Sequence, residues 1–308
     1  MLKSVRPAIP FTRASKKSSI PPGALASSRK STAARPDLQS ARAAWYRTVV
    51  ASQPCGVFPL LWCLFLFVAL HTVAEAEWRR GVVAKFVDGD TLILDSGETI
   101  RLAGINTPEM ATDSRPAEPL ALEARKVLAS QLGDGQVLIE DAPQPHDRYG
   151  RTLAYLFRID GASVQEALLR KGLASAVAIS PNDRYLDRFI QAEQTAYRAE
   201  RGIWAVKYYA PVAADKVRGG YQFMRARLSR IEMGKTWFAF SVGKDLVILV
   251  RRTAWESGFD YSPGTLDQAK IAVRGWFSNK KARATLVINH PFMLERCGID
   301  PQRLCNNN

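Results

Sequence analysis

Apolar and β-branched residues alternate with polar turn residues over positions 80–105, and this pattern predicts three short strands. A two-residue turn at Ser96–Gly97 would place Arg101 opposite Leu92. Asp90 and Arg101 would then be diagonal neighbours on one face of the sheet, about 7–8 Å apart at the backbone. A carboxylate and a guanidinium held together on an apolar ribbon indicate a site for a cation or a phosphate between their side chains.

A second acidic residue is predicted near the same position. Thr107-Pro108 favours an extended turn that ends the strand. This turn would direct Glu109 back toward Asp90 and Arg101.

Helical spacing of apolar residues predicts three helices downstream, at 118–132, 163–172 and 184–200. The second helix opens with a capping box, Ser163 to Glu166. Two further strands lie between the first and second helices and form a hairpin that turns at Tyr149–Gly150. Five strands and three helices in this order favour a mainly β fold with α-helices, in which a small closed barrel carries the helices at its side.

The N-terminal part of the chain reads as a targeting region. Residues 1–54 are rich in Ser, Ala, Pro and Arg without hydrophobic periodicity, which predicts a basic disordered leader. The hydrophobic segment 55–76 has an apolar core shorter than the roughly 20 residues that span a bilayer, and it ends in Ala74-Glu75-Ala76, which suits a signal peptidase. We expect either a signal peptide cleaved near Ala76, giving a secreted or periplasmic protein, or an uncleaved anchor that holds the chain to a membrane through residues 57–74.

Charge is concentrated in the same region. Of the formal net charge of +14, residues 1–76 carry +8, from ten Lys or Arg against Asp37 and Glu75, which leaves +6 for the rest. A modestly basic body fits a polyanionic partner without requiring one. The hydrophobic fraction of 47% excludes a chain that is disordered throughout.

Two cysteines lie outside the targeting region, Cys297 and Cys305. In an oxidising compartment they could close a small loop through a disulfide; the alternative is two unrelated thiols.

Six short motifs between residues 79 and 205 resemble those of the thermonuclease (staphylococcal nuclease-like) family. They follow one another in the family's order, which makes the set far more specific than any one motif. They are Asp88-Gly89-Asp90-Thr91, Arg101-Leu102, Thr107-Pro108-Glu109, Asp147-Arg148-Tyr149-Gly150-Arg151, and the runs EALLRKGLA and GIW. The resemblance implies an OB-fold barrel that uses Ca²⁺ to hydrolyse phosphodiester bonds of DNA and RNA.

The resemblance also implies a role for each residue of the candidate site. Asp90, Asn106 and the backbone carbonyl of Thr107 would hold the metal, and Asp88 would orient bound water. Glu109 would be the general base. Two further pairs would bind phosphate: Arg101 and Arg151 at the reacting phosphate, and Arg148 and Tyr149 at a terminal phosphate.

Two departures from the family pattern affect the expected binding properties. Position 106 is Asn, where the best-studied member has an aspartate, so we expect weaker Ca²⁺ binding or a different metal preference. The loop 174–183 lacks the tyrosines that pack against a base in that nuclease. Substrate preference, DNA against RNA, therefore stays open.

A linker at 206–219 precedes a second β-rich segment at 220–300. Its five predicted strands are separated by glycine turns and suggest a second OB-like barrel. Arginines alternate there with aromatic residues such as Trp237, Phe238 and Phe277, which indicates either a nucleic-acid-binding surface or an aromatic core with a charged outer face. We assign this segment as an accessory binding or docking domain.

Three functions are consistent with this sequence: an exported Ca²⁺-dependent nuclease, a nucleic-acid-binding protein that keeps the barrel without turnover, and an envelope interaction protein. The set Asp90, Arg101, Glu109 and Arg151 favours the enzyme, because a binding module needs no base beside a metal site. Asn106 is the feature that favours the non-catalytic binder.

Overall fold

The computed structural model of the protein describes residues 78–279, 283–300 and 304–305. The predicted leader (1–54) and hydrophobic segment (55–76) lie outside these residues. Across the part of the chain that is described, no helix combines the length and the apolar character that a membrane crossing requires.

Seven strands make up the N-terminal region: β1 (Arg79–Phe86), β2 (Thr91–Leu94), β3 (Thr99–Leu102), β4 (Ile105–Asn106), β5 (Gln136–His146), β6 (Thr152–Phe157) and β7 (Ser175–Ala176). Five of them close a barrel in the order β1-β2-β3-β6-β5. β3 and β6 run parallel, and the other barrel neighbours are antiparallel. The predicted five-stranded barrel is confirmed.

Three helices accompany the barrel: α1 (Ala121–Gln131), α2 (Val164–Arg170) and α3 (Leu186–Arg198). The predicted cap of α2 is present, since Ser163 Oγ accepts a hydrogen bond from the Glu166 N–H at 3.3 Å. Buried Leu128, Leu168 and Phe189 pack these helices into one core with the barrel interior. The predicted arrangement of barrel and helices is therefore confirmed.

The predicted pairing of β2 with β3 is wrong by one residue. Arg101 lies opposite Thr91 rather than Leu92. The connecting turn uses three residues, 95–97, because the Leu94 N–H bonds to the Glu98 carbonyl and Gly97 adopts a left-handed φ of 84°. Asp90 directly precedes β2, and its carbonyl accepts the Leu102 N–H of β3 at 2.8 Å.

The C-terminal region forms a second sheet of seven strands: β8 (Gly220–Arg227), β9 (Arg230–Met233), β10 (Trp237–Val242), β11 (Leu246–Arg251), β12 (Lys270–Ser278), β13 (Ala284–Ile288) and β14 (Leu294–Arg296). The path runs β14-β12-β13-β11-β10-β9, with β8 on the other edge of β12. β8 and β9 are the two halves of one predicted strand, and through them the pairings close a ring in the order β8/β9-β10-β11-β13-β12, with β11 and β13 parallel as β3 and β6 are. This order agrees with the second five-stranded, OB-like barrel that the sequence suggested, with β14 added beside β12. Two predicted strands are each interrupted: the first at Leu228 and Ser229, the last by a 3₁₀ turn at Pro291–Met293.

Short helical segments complete the chain. They are α4 (Arg252–Gly258) and the 3₁₀ turns Gly202–Trp204, Lys207–Tyr209, Ala214–Lys216, Pro263–Leu266 and Pro291–Met293. Phe238 and Phe277 are buried in the sheet core, which supports the structural reading of those aromatic residues, while Trp276 is 42% exposed. Cys297 and Cys305 are joined by a disulfide.

A buried ion pair joins the sheet to the barrel region, and the described residues all belong to one unit. Arg274 on β12 donates through Nη1 to both carboxylate oxygens of Glu193 on α3, at 2.7 and 2.9 Å. The two side chains are only 1% and 2% exposed. Both also bond the backbone of β7: Glu193 Oε1 accepts from the Ala176 N–H at 2.8 Å, and Arg274 donates to the Ala176 carbonyl at 3.2 Å. The sheet is therefore fixed to β7.

We expect Arg274→Ala to lower the free energy of unfolding by about 3–5 kcal/mol, because it leaves the Glu193 carboxylate buried without its partner. Arg230→Ala is the matched control, since the Arg230–Glu232 pair is exposed and should contribute less than about 1 kcal/mol. Urea unfolding of the two variants and the parent measures both values. Equal losses in the two variants would contradict a stabilising role for the buried pair.

Candidate functional site

The turn Asp88-Gly89-Asp90 places Asp90 at the edge of the barrel. Asp88 Oδ1 accepts the Asp90 N–H at 2.9 Å, and the Asp90 carbonyl accepts the Leu102 N–H at 2.8 Å. Gly89 is required for close packing, since a Cβ there would lie 2.6 Å from the Ala124 Cβ and 2.8 Å from Thr107 Oγ1. The turn therefore brings three separate pieces of chain against one another around Asp90.

Asp90 is buried, with 4% of its surface exposed. Its carboxylate oxygens contact Arg101, Thr107 and Thr91. Oδ2 forms an ion pair with Arg101 Nη2 at 2.9 Å and accepts the Thr107 N–H at 2.8 Å. Oδ1 accepts from the Thr91 hydroxyl at 3.2 Å. The predicted proximity of Asp90 and Arg101 is thus present, although the register that predicted it was not correct.

Arg101 is oriented by the backbone around it. Nη1 donates to the carbonyls of Leu102 and Ile105, at 2.9 and 3.1 Å. Nη2 then contacts Asp90 Oδ2 at 2.9 Å and Asn106 Oδ1 at 3.3 Å. Oxygen atoms of Asp90 and Asn106 therefore converge on one positively charged nitrogen.

Negative charge accumulates at this edge of the barrel. Burial, with smaller contributions from the charges of Asp88 and Glu109, raises the pKa of Asp90 to about 7, although Arg101 and the Thr107 N–H oppose the shift. Partial desolvation, and then the charge of Asp88, also raises the pKa of Glu109, with Arg101 again opposing. Asp88, Asp90 and Glu109 thus share one electrostatic environment, and a cation there would relieve their mutual repulsion.

The donor set fits a hard cation. Asp90 and Asn106 direct oxygens to a common point, and the Thr107 carbonyl is adjacent, since it accepts the Asn106 Nδ2–H at 3.2 Å. Carboxylate, amide and carbonyl oxygens suit Ca²⁺, which completes its shell with water. Over residues 78–279, 283–300 and 304–305 no group of three His, Cys, Asp or Glu side chains is arranged for a metal. A site here would therefore depend on one carboxylate supplemented by neutral oxygens.

Glu109 lies at the rim of this site. Its N–H donates to Glu118 Oε2 at 3.0 Å, and its carbonyl accepts the Glu118 N–H at 2.9 Å. These bonds close the loop between Glu109 and Glu118. The Glu109 side chain lines a cavity of about 380 Å³ together with Asn106 and Thr107, so the three can contact a common ligand.

Arg151 is placed beside the site but bonded elsewhere. It directly precedes β6, whose Leu153 lies opposite Arg101 in the parallel pairing with β3. Strand alternation puts Arg151 on the same side of the sheet as Arg101. Its Nε forms an ion pair with Asp147 at 2.7 Å. Among the described residues, no hydrogen bond or ion pair joins Arg151 to Asp90, Arg101 or Glu109.

Arg148 and Tyr149 occupy the tip of the turn before β6. Tyr149 is 69% exposed, its hydroxyl accepts from Arg148 Nη2 at 2.8 Å, and the Arg148 guanidinium lies 4.8 Å from the ring centroid. The Arg151 guanidinium is 5.6 Å from the same ring. These three side chains form one cationic and aromatic group. The roles predicted for the site residues stay predictions.

Sequence reasoning missed the opposite wall of the cavity. That wall comes from the predicted linker and from β8, and its polar and aromatic members include Tyr208, Tyr209, Arg218 and Tyr221. The tyrosine pair in an otherwise Ala- and Val-rich linker was the available signal, because aromatic side chains are uncommon in flexible linkers.

Comparisons with known proteins agree with this geometry. A family described as Staphylococcal nuclease homologue matches residues 99–206. The thermonuclease of Staphylococcus hyicus is 35% identical over 136 residues, which cover 43% of this chain and 80% of that protein. The thermonuclease of Staphylococcus intermedius is 35% identical over 126 residues, 40% of this chain and 74% of that protein.

A third relative comes from another genus. Endonuclease YncB of Bacillus subtilis (strain 168) is 36% identical over 144 residues, which cover 45% of this chain and 68% of that protein. The match in each case accounts for most of the relative and for less than half of this chain. With the closed barrel and the ordered motifs, these similarities show that the chain belongs to the thermonuclease (staphylococcal nuclease-like) family, a family of enzymes that hydrolyse phosphodiester bonds.

Proposed function

We propose that the chain is an exported, Ca²⁺-dependent nuclease that hydrolyses phosphodiester bonds of DNA, RNA or both. The observation that supports this most strongly is the convergence of Asp90 and Asn106 oxygens on the buried Arg101 guanidinium, at 2.9 and 3.3 Å. A cation and a phosphate both interact strongly with such a point, where anionic and cationic groups are held in place and largely buried. Membership of the thermonuclease family supports the same activity.

The side chains of Asp90 and Asn106 and the carbonyl of Thr107 would hold Ca²⁺. When bound, the ion supplies positive charge that neutralises the phosphate and stabilises the more negative transition state. Arg101, fixed by two backbone carbonyls, directs its second nitrogen to the same place and binds a phosphate oxygen there. Asp88 stabilises the turn at Asp90 by accepting the Asp90 N–H, and its carboxylate would orient water nearby.

Glu109 is proposed as the general base. Its carboxylate takes a proton from water as the water oxygen forms a bond to phosphorus. The P–O bond to the leaving group then breaks, and the leaving oxygen acquires a proton from solvent. Arg151 stabilises the phosphate after exchanging its bond with Asp147, and Arg148 and Tyr149 bind a terminal phosphate at the exposed turn.

A second candidate function is nucleic-acid binding without turnover. Asn106 favours it, since the amide supplies a neutral oxygen in place of a carboxylate and so weakens the attraction for a divalent ion. The barrel and the arginines would remain able to hold a strand.

We expect Glu109→Gln to slow the degradation of single-stranded DNA at least about 100-fold in the presence of Ca²⁺, because the amide cannot accept a proton. A chelator should abolish degradation by the parent chain as well. Glu123→Gln is the control, as Glu123 is an exposed carboxylate on α1, and it should leave the rate unchanged. Parental activity in Glu109→Gln, or activity that persists in chelator, would contradict the proposal; bound but intact DNA with the parent chain would favour the second candidate.

We expect Asn106→Asp to lower the Ca²⁺ concentration needed for half-maximal activity by roughly tenfold, since it adds a negative charge next to Asp90. Asn279→Asp makes the same charge change at an exposed position and serves as the control. Calcium titrations of activity compare the three chains. An unchanged requirement in Asn106→Asp would show that residue 106 does not contact the metal.

Export is proposed from the hydrophobic segment 55–76 and its small residues at Ala74 and Ala76. We expect N-terminal sequencing of the mature protein to begin at Glu77. A mature chain that keeps residues 57–74 and sediments with membranes would favour the anchored form, and a soluble chain that starts at Met1 would contradict export.

A further inference from the structure

The cavity beside Glu109 is built by two parts of the chain. Asn106, Thr107 and Glu109 line one side, and Tyr208 and Arg218 line the other. The volume of about 380 Å³ is in the range of small-ligand sites. A ligand in this cavity would contact the candidate catalytic residues and the supposed linker at the same time.

Hydrogen bonds fix the linker side of the cavity. Tyr208 OH donates to Glu118 Oε1 at 3.3 Å, and Glu118 Oε2 accepts the Glu109 N–H at 3.0 Å. Tyr209 OH donates to the Pro119 carbonyl at 2.5 Å. Tyr208 is therefore connected to the backbone of Glu109 through a single side chain.

The C-terminal sheet supports the same wall. Tyr221 on β8 also lines the cavity, and its hydroxyl is 3.1 Å from Ser175 Oγ on β7. Ser175 lies directly opposite Asn106 in the β4–β7 pairing. The Arg274–Glu193 pair holds the next residue of β7, Ala176. The sheet is thus attached to β7, the strand that pairs with β4, on which Asn106 lies.

The chemistry of the wall suits a nucleotide. Tyr208 is 41% exposed, and the Arg218 guanidinium lies over its ring, 5.1 Å from the centroid. An exposed aromatic ring beside guanidinium groups is the usual way in which a protein holds a single strand, with a base on the ring and a phosphate on the cation. Arg115 adds a second guanidinium to the cavity. The carboxylate of Glu118 is held by Tyr208 and the Glu109 N–H, so its charge is partly satisfied.

The 174–183 loop has no aromatic side chain on which a base could stack. Its residues from Ala174 to Ala178 are buried aliphatic or small side chains, and none presents a ring to a base. A base that stacks on this protein would therefore need a ring from another part of the chain.

We propose that this cavity binds one nucleotide of the substrate strand next to the reacting phosphate, with its base against Tyr208 and its phosphate on Arg218 and Arg115. The inference rests on the proposed nuclease function for the identity of the strand. The linker and the C-terminal sheet are then part of the substrate site, rather than a separate module.

A binding measurement tests this inference in a variant that does not degrade the substrate. In the full chain carrying Glu109→Gln, with Ca²⁺ present, fluorescence anisotropy measures the Kd for a single-stranded oligodeoxynucleotide. We expect Tyr208→Ala with Arg218→Ala to raise that Kd at least about tenfold, and Tyr208→Phe alone to raise it clearly less, because the ring is kept and only the hydroxyl's bond to Glu118 is lost. Arg158→Ala with Ile159→Ala is the matched control and should leave Kd unchanged, because both side chains are exposed and neither lines the cavity.

Kinetics separate this inference from the proposed function. In the otherwise unaltered chain, the Tyr208 and Arg218 changes should raise KM about tenfold and leave kcat nearly unchanged, and Arg218→Ala alone should give part of the effect if the double variant unfolds. Active enzyme whose Kd and KM match those of the control pair would overturn the inference and leave the nuclease function standing. A chain without activity, whose Kd still rises in the double variant, would support the cavity and contradict the nuclease.

Discussion

A carboxylate removed from water and surrounded by donors is the constraint on which the site depends. Burial at 4% exposure raises the pKa of Asp90, and Arg101 and the Thr107 N–H oppose that shift because they contact the carboxylate directly. Those contacts fix the end of β3, the start of the loop that carries Glu109, and the turn at Gly89. A substitution that moves any of these segments would leave a buried charge without its partner, so the geometry of the site and the stability of the barrel edge are linked.

The local part of this arrangement could be predicted from sequence, because strand alternation, turn residues and helix caps act over a few residues. The three helices, the closed barrel and the proximity of Asp90 to Arg101 follow from such signals. The register failed by one residue, since Gly97 allows a three-residue turn that the Ser-Gly pattern does not distinguish from a two-residue one. Asp90 and Arg101 are close in spite of this error, because Asp90 directly precedes β2 and its carboxylate forms an ion pair with the long Arg101 side chain at 2.9 Å.

The longer-range part could not be predicted. Glu193 and Arg274 are 81 residues apart, and Tyr208 and Glu118 are 90 apart; neither pair has a sequence pattern that links its members. Glu193 and Arg274 meet at the backbone of β7, and Tyr208 meets Glu118 at the cavity, so each contact depends on how distant parts of the chain pack together. The C-terminal sheet contacts β7, and β7 pairs with the strand of Asn106, so the sheet supports the candidate metal site through β7.

The most direct test of the account is diffraction from crystals of the Glu109→Gln chain grown with Ca²⁺ and a dinucleotide, with the anomalous signal of the ion recorded. The account predicts one Ca²⁺ peak about 2.3–2.6 Å from Asp90 and Asn106 side-chain oxygens and the Thr107 carbonyl, with a phosphate oxygen on Arg101. A saturating Ca²⁺ concentration that gives no ion at Asp90, Asn106 and Thr107, or an ion bound only at other residues, would contradict it.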